Sequence, residues 1–485
     1  MLTYAELAAR IRRLAHVLRE LGVGPGERVG WLGPNHPAFL EALFAAARLG
    51  AALAPVNHHL TVEGRSRVLA ETEPVVLLEY AMPEATPAPS VHQRVVVDGP
   101  IAHPPGRVLD YETLVSGGAD APVEHLTGPD APVLMPHTSG TTGPPKVVVL
   151  THANVTWNAI NFLTSADYRT DDVTIAIAPF FRSGGSGVNV LPILFVGGAV
   201  VIPEDGAPDE ILRLMEACRV TVGFGNPDLL AAMTRAERWS SADLSAVRFI
   251  MTGGAPVPER LIRAFLDRGL TLRQGYGLSE AAPFVLLLDA ATAVLKPGAA
   301  GRPPLMVDVR IVDDDGAELP RGTTGELHVR GPNVMPGYWG RPDETAQVLT
   351  GDGWLKTGDA ARIDADGDVW IVDRIEARFN SGGQVIYPAD VERALMSHSE
   401  VADAGVVGIP ADEGDAVGVA FVVLEPGATV TADQLLLHCR DLLPAGAVPA
   451  SIAFVDTLPR NAVGKLTRSE LARLATARIG SGRLV

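Results

Sequence analysis

Six consecutive small or hydroxylated residues, Thr138-Ser139-Gly140-Thr141-Thr142-Gly143, are followed by Pro144-Pro145-Lys146. They lie between the apolar run Ala131–Met135 and the strand-like Val147–Leu150. Hydroxyls, closely approachable backbone N–H groups and one ammonium are the donors that a polyphosphate needs. The spacing is not that of a Walker A loop, because Pro145 stands where that motif carries a glycine before its lysine. Such a run by itself is more often a solvated surface loop. Four further segments change the balance. Gly253-Gly254-Ala255-Pro256 directly follows a strand-like run, and Gln274-Gly275-Tyr276-Gly277-Leu278-Ser279-Glu280 sets a tight glycine turn before a hydroxyl and a carboxylate. Gly353-Trp354-Leu355-Lys356-Thr357-Gly358-Asp359 ends in an aspartate suited to a ribose diol, and Asn461-Ala462-Val463-Gly464-Lys465 puts a lysine on a turn. Each is weak alone; their order is the signal.

The elements that must hold these segments alternate. Residues 3–21 open with Thr3 and Glu6 at capping-box spacing, carry Leu7, Ile11, Leu14 and Leu18 at helical period, and stop at Gly22. Strand-like runs follow at Arg28–Leu32, Ala51–Val56, Val75–Leu78 and Arg94–Val97, with a helix predicted over about Pro37–Leu49. Near-continuous apolar strands alternating with helices predict a mostly parallel α/β sheet covered on both faces. The pattern resumes after residue 145 and runs through Ala246–Met251. From Gly301 it gives way to short, Gly-punctuated strands (Val307–Val312, Gly325–Arg330, Val369–Val372), which predict an antiparallel β-rich subdomain. The last hundred-odd residues read as a small α+β unit. A helix starts at Pro388, strands run over Ala404–Ile409 and Val417–Leu424, and two helices carry capping boxes at Thr431/Gln434 and Thr467/Glu470.

Composition excludes several classes. The 485 residues include 40 basic and 57 acidic side chains, a net charge of −17, which is the wrong sign for a nucleic-acid binder or for an anionic membrane surface. Cys218 and Cys439 sit in no metal or redox spacing and read as apolar fillers. The start has no basic or apolar signal region, and the most apolar stretch, Val188–Ile202, is too short and too broken by Asn189, Pro192, Gly197 and Gly198 to span a bilayer. A soluble cytoplasmic protein with no membrane insertion is expected.

In this order the motifs resemble the adenylate-forming superfamily of acyl-CoA synthetases, peptide-synthetase adenylation domains and beetle luciferases, and are most similar to the acyl- and aryl-CoA synthetases. The resemblance covers essentially the whole chain, including Leu2-Thr3-Tyr4-Ala5-Glu6-Leu7 and Asn35-His36-Pro37. It implies an ATP-dependent ligase that turns a carboxylic acid or related oxyacid into its acyl-AMP, releases pyrophosphate, and passes the acyl group to coenzyme A. A separate carrier protein and a non-thiol acceptor remain as alternatives. The implied fold is α/β: a large N-terminal domain (1–373, with the β-rich subdomain about 301–373), and a small mobile α+β lid (374–485), with the active site between them and the whole a monomer or homodimer. By motif position, Thr138, Ser139, Gly140, Thr141, Thr142, Gly143 and Lys146 wrap the phosphates of ATP. Gly253, Gly254, Ala255, Pro256, Gln274, Gly275, Tyr276 and Gly277 frame adenine and the acyl pocket. Ser279 touches the α-phosphate, Glu280 holds Mg²⁺, Asp359 and Arg374 take the ribose hydroxyls, and Lys465 is the catalytic lysine of adenylation. Glu376 falls at the pivot of the lid, and Ser381, Gly382 and Gly383 lie where the thiol arm enters. The acyl pocket draws on Phe181, Arg182, Gly185, Asn226, Gly253 and Gly277.

Some positions depart from the family's pattern. After Pro179-Phe180-Phe181 the acyl-CoA synthetases usually carry His, and this chain has Arg182. A fixed cation there favours a small or doubly anionic acid; a structural ion pair is the alternative. Val147, Ala377, Gln384-Val385 and Ala447 also replace the usual residues, and Glu376 stands where Asp or Lys is usual. These departures touch the acid and the acceptor rather than the nucleotide.

Overall fold

The structure, a computed structural model, describes residues 1–82, 84–98, 108–124, 127–138, 145–411, 416–460 and 466–480. Two compact units result, the first from residues 1–309 and 329–355, the second from 310–328 and 356–485. Among the described residues no helix is long and apolar enough to cross a membrane.

In the first unit the opening helix Tyr4–Glu20 carries the capping box read from Thr3 and Glu6, with both reciprocal bonds made. Its apolar stripe packs on the helix Pro37–Arg48, which starts with proline in its first turn after an N-cap at His36. Two sheets follow. The eight-stranded one has the order Gly337–Tyr338, Val148–Thr151, Pro132–Leu134, Ala52–Val56, Arg28–Leu32, Val76–Tyr80, Gln93–Asp98 and Val108–Asp110. Its centre is parallel, and antiparallel pairing enters where Val148–Thr151 joins Pro132–Leu134 and Gly337–Tyr338. The six-stranded sheet has the order Phe284–Leu287, Leu272–Gly277, Phe249–Thr252, Val222–Gly225, Val173–Ile175 and Ala199–Val201, parallel except at Phe284–Leu287. The predicted parallel α/β architecture is therefore present twice. The strands buried on both faces are the Val/Leu/Ile-rich ones, since each face must be covered by helices.

The early Asn-His-Pro segment has a structural task. Asn35 Oδ1 accepts from Phe180 N at 2.7 Å, while its Nδ2 donates to the carbonyls of Ala176 and Ala178, both at 2.9 Å. With Phe180 buried against Phe39 at 5.0 Å between ring centroids, the Pro179–Gly185 segment is held to the core.

In the second unit, the strands Asp308–Val312, Gly325–Arg330, Leu355–Ile363 and Val369–Arg374 form a four-stranded sheet in which Leu355–Ile363 and Val369–Arg374 pair antiparallel. A three-stranded sheet of Val401–Pro410, Ala416–Leu424 and Ser451–Phe454 carries the helices Pro388–Met396, Ala432–Leu442 and Arg468–Gly480. Strand Val401–Pro410 begins earlier than the sequence pattern predicts. Asp403 looks like a break, but its carboxylate is neutralised by Arg460 at 2.6 Å and the ladder passes a bulge beside it. The capping box at Thr431/Gln434 is formed, and the last helix begins directly after Thr467. Arg468 ties that helix to Glu392 and to Asp373, the residue before Arg374.

Candidate active site

The residues that flank the predicted phosphate loop are paired with each other. His137 bridges Val147, Thr138 N donates to the Lys146 carbonyl at 2.9 Å, and Lys146 N donates to Thr138 Oγ1 at 3.0 Å. These bonds close the mouth of the loop and fix where Lys146 leaves it. Ser139, Gly140, Thr141, Thr142 and Gly143 lie outside the described residues, as does Lys465.

The glycine motifs come together on neighbouring strands of the second sheet. Phe249–Thr252 pairs in parallel with Leu272–Gly277, Thr252 opposite Gln274, so Gly253 follows the end of one strand beside the Gly275 backbone of the next. A Cβ on Gly253 would sit 2.7 Å from the Gly275 carbonyl oxygen, too close for any side chain. Gly254 takes φ +82°, the left-handed region, and turns the chain into Ala255-Pro256. Gln274 Nε2 donates to the Gly298 carbonyl at 3.4 Å. Gly277 packs its Cα against Pro283, where an added Cβ would lie 1.7 Å from the carbonyl oxygen. The turn Ser279–Ala281 comes next, and Ser279 Oγ and Ser183 Oγ are hydrogen-bonded at 2.8 Å. That bond joins the predicted α-phosphate contact to the segment that carries Phe181, Arg182 and Gly185. Glu280, half-buried, accepts the Tyr338 hydroxyl on Oε1 at 2.8 Å.

Arg182 caps the short helix Ser183–Gly187 by its backbone position, without a side-chain cap bond. Its guanidinium is half-buried and stands 5.8 Å from the Phe181 ring centroid. Among the described residues no carboxylate pairs with it, and burial without an acid pulls its pKa below the usual guanidinium range. The alternative of a structural ion pair therefore has no partner among the described residues. Beside Phe181 lie His58 and His59, their rings 4.0 Å apart and inclined by 42°, both edge-on to Phe181 at 5.5 and 6.1 Å. Burial first, and the adjacent His59 next, bring the His58 pKa down to about 4, so its ring is neutral near pH 7. No sequence pattern marks this histidine pair, because its contact with Phe181 spans more than a hundred residues. Asn226 spends its Oδ1 on capping the helix Pro227–Thr234, accepting from Leu229 N at 2.9 Å.

In the second unit Asp359 and Arg374 face each other across the antiparallel pair, and Arg374 Nη1 donates to Asp359 Oδ1 at 2.9 Å. Asp359 is nearly buried, and its N–H is held by Thr357 Oγ1 at 3.1 Å. Gly358 beside them takes φ +70°, the left-handed region that favours glycine. Glu376 Oε1 lies 3.9 Å from Arg374 Nε. Ser381 pairs with Gln384 across a two-residue turn in which Gly382 and Gly383 have φ +56° and +73°. Positive φ at both positions is the type I′ hairpin requirement, met here by the glycine pair.

Two covered parallel sheets, a hydroxyl-rich loop ending in lysine and a Ser-Glu turn beside a glycine-lined strand end are the outfit of an adenylate-forming enzyme, and the relatives agree. The AMP-binding enzyme family matches residues 1–339, and the C-terminal domain of AMP-binding enzymes matches residues 390–465. A feruloyl-CoA synthase of Amycolatopsis sp is 42% identical over 472 residues, covering 97% of this chain and 94% of that protein. An indoleacetate–CoA ligase of Aromatoleum aromaticum is 37% identical over 98% of this chain and 93% of its own. The ATP-bound structure of MatB from Rhodopseudomonas palustris superposes with a TM-score of 0.87 at 28% identity, over 97% of this chain and 93% of that one. The chain belongs to the AMP-binding enzyme family. It is an AMP-forming acid–thiol ligase of the acyl-CoA synthetase kind, which uses ATP to form an acyl-AMP and then a CoA thioester.

Proposed function

We propose that this ligase activates an aryl-substituted carboxylic acid, with Mg²⁺ as the companion of ATP, in the cytoplasm. The observation that carries the acid class is the 42% identity to a feruloyl-CoA synthase along 97% of the chain, with an indoleacetate–CoA ligase at 37% beside it. The wall formed by Phe181, His58 and His59 suits a flat ring.

A carboxylate resists nucleophiles because of its own charge, and oxide cannot leave. Attack of the acid on the α-phosphate replaces that oxygen with AMP, and negative charge collects on phosphate oxygens in the transition state. The protein's work is then positioning and electrostatic stabilisation. Thr138 to Lys146 would hold the phosphates, Lys146 and Lys465 would supply fixed positive charge, and Ser279, braced by Ser183, would donate to the α-phosphate. Gly253 to Pro256 and Gln274 to Gly277 would frame adenine and the near end of the acid. Asp359, its carboxylate oriented by Arg374, would accept the ribose hydroxyls. Mg²⁺ asks for one or two carboxylates besides phosphate and water oxygens, and when bound it neutralises charge on the phosphates. Glu280 fits that demand, since among the described residues only Tyr338 bonds to its carboxylate, through Oε1. For the second half-reaction the lid, residues 374–485, would pivot at Glu376, and the thiol arm would pass Ser381-Gly382-Gly383.

Arg182 favours a more specific reading, in which the acid carries a second anionic group. A half-buried guanidinium without a carboxylate partner among the described residues is the feature that a ligand anion would complete. A hydrogen bond to a charged group contributes about 1.5–3 kcal/mol, or roughly 10- to 150-fold in specificity. ATP–pyrophosphate exchange with a cinnamate-type acid, an aliphatic monoacid and aryl acids bearing a second carboxylate tests both readings. Adding CoA or a carrier protein and weighing the products identifies the acceptor. Exchange with aryl acids and a CoA thioester are expected, and Arg182→Met should cut exchange selectively for the doubly anionic acids. Absence of exchange with every aryl acid defeats the aryl reading; an Arg182→Met loss equal for all acids defeats the role of the guanidinium in choosing among them.

A further inference from the structure

Two motif side chains of the first unit meet at a residue outside the five motifs. The Tyr338 hydroxyl donates to Glu280 Oε1 at 2.8 Å, and the Lys146 ammonium stands 4.8 Å from the Tyr338 ring centroid. The backbone around Tyr338 is fixed from two directions. Tyr338 pairs with Val148 and Gly337 with Val149, on the strand that follows Lys146, and Trp339 N donates to the Val147 carbonyl at 2.9 Å. On the other side Met335 N donates to the Glu280 carbonyl at 2.8 Å. Asn333 Nδ2 donates to the carbonyls of Ala281 at 2.9 Å and Phe284 at 2.8 Å. Residues 333–339 are thus a brace whose two ends set the lysine and the carboxylate against each other.

We infer that Tyr338 is a positioning residue of the adenylation step. Its hydroxyl orients Glu280 so that Oε2 is presented to a divalent cation, and its ring face holds the Lys146 ammonium until ATP phosphates take it. The inference rests on the reading that Glu280 serves the metal and Lys146 the phosphates. A phenol suits the task better than a basic side chain: it removes the carboxylate's rotational freedom without neutralising its charge. The aromatic face likewise steadies an ammonium weakly enough for a phosphate to displace it.

The test is calorimetric titration of ATP into the full chain, without acid so that no turnover occurs, at Mg²⁺ from limiting to saturating. For Tyr338→Phe the Mg²⁺ concentration giving half-maximal ATP binding should rise about three- to tenfold. ATP affinity at saturating Mg²⁺ should stay within about twofold, because the ring is kept. Glu280→Gln should raise the Mg²⁺ requirement at least as far, and the double variant no further than Glu280→Gln alone. A wild-type Mg²⁺ requirement in Tyr338→Phe, or effects that add in the double variant, would overturn the inference. If Glu280→Gln itself leaves the Mg²⁺ requirement unchanged, the metal reading of Glu280 fails instead, which is a separate result. Should Tyr338→Phe unfold by circular dichroism, Glu280→Asp reads the same bond from the other side. Its shorter carboxylate withdraws from the phenol, and an unchanged Mg²⁺ requirement there also refutes the inference.

Discussion

His137 stands one residue before the phosphate loop, bridged to Val147, with both ring nitrogens shielded from solvent. Burial brings its pKa from 6.5 down to about 4, offset only in part by the Pro55 carbonyl. The sign of the consequence follows from linkage. Above pH 6.5 the ring is neutral in both the folded and the unfolded chain and contributes no pH dependence. Between about 6.5 and 4 the unfolded chain binds a proton that the folded one refuses, so stability falls as pH falls. Below about 4 both forms are protonated and the slope ends. At about 1.4 kcal/mol per pH unit, the loss accumulated by pH 5 is about 2 kcal/mol, and by pH 4 about 3 kcal/mol. His137→Gln removes the titrating group while keeping a polar side chain. Urea unfolding at pH 7.5 and pH 5.0, followed by tryptophan fluorescence, should show a destabilisation on acidification that is about 2 kcal/mol smaller in the variant. The comparison is a difference of differences, so it is insensitive to any uniform cost of the substitution and to the similarly buried His58. Equal pH dependence in the two proteins would refute the argument. It would mean that water reaches the ring and that the loop base is looser than its hydrogen bonds imply.

Two further outcomes follow from the sites. Lys465→Ala should abolish acyl-AMP formation, measured by pyrophosphate exchange, while thioester formation from supplied acyl-AMP stays largely intact; equal loss in both half-reactions would contradict a lysine that serves adenylation alone. Gly185→Ala should lose nearly all exchange activity, because the new Cβ would lie 1.8 Å from the Pro179 carbonyl oxygen and force the Phe181–Arg182 turn more than an ångström aside. Wild-type exchange rates in that variant would show that the turn does not shape the acyl site.

The features legible in the sequence were those whose cause is local. Capping boxes at Thr3 and Thr431, the proline start of Pro37–Arg48 and the alternation of apolar strands with helices are written within a few neighbouring residues, and the structure reproduces them. Tyr338, the contacts of His58 and His59 with Phe181, and the Ser183–Ser279 bond were not legible, since each depends on a neighbour far away in the chain: 58 residues between Tyr338 and Glu280, 96 between the two serines. A tyrosine after a glycine carries no mark that distinguishes a brace from an ordinary strand end. The one available hint was the dense run Gly331 to Trp339, with Asn, Pro, Gly, Tyr and Trp in close succession, which is more specialised than a connecting loop requires.

Local legibility also has a converse. Gly382-Gly383 invites a chemical explanation, passage of a thiol arm, yet the two positive φ angles of a two-residue hairpin already demand it. Asn226, read as a polar contact for the acid, has its carbonyl oxygen committed to a helix N-terminus. Arg182 runs the other way. Its fold-based explanation was an ion pair, and among the described residues no carboxylate supplies one, so the cost of half-burying the guanidinium is met only by its contact with the Phe181 ring. A motif residue earns a functional reading when the fold offers no sufficient reason for it. By that standard Arg182 is the position in the acyl segment on which the proposal of a doubly anionic acid most depends.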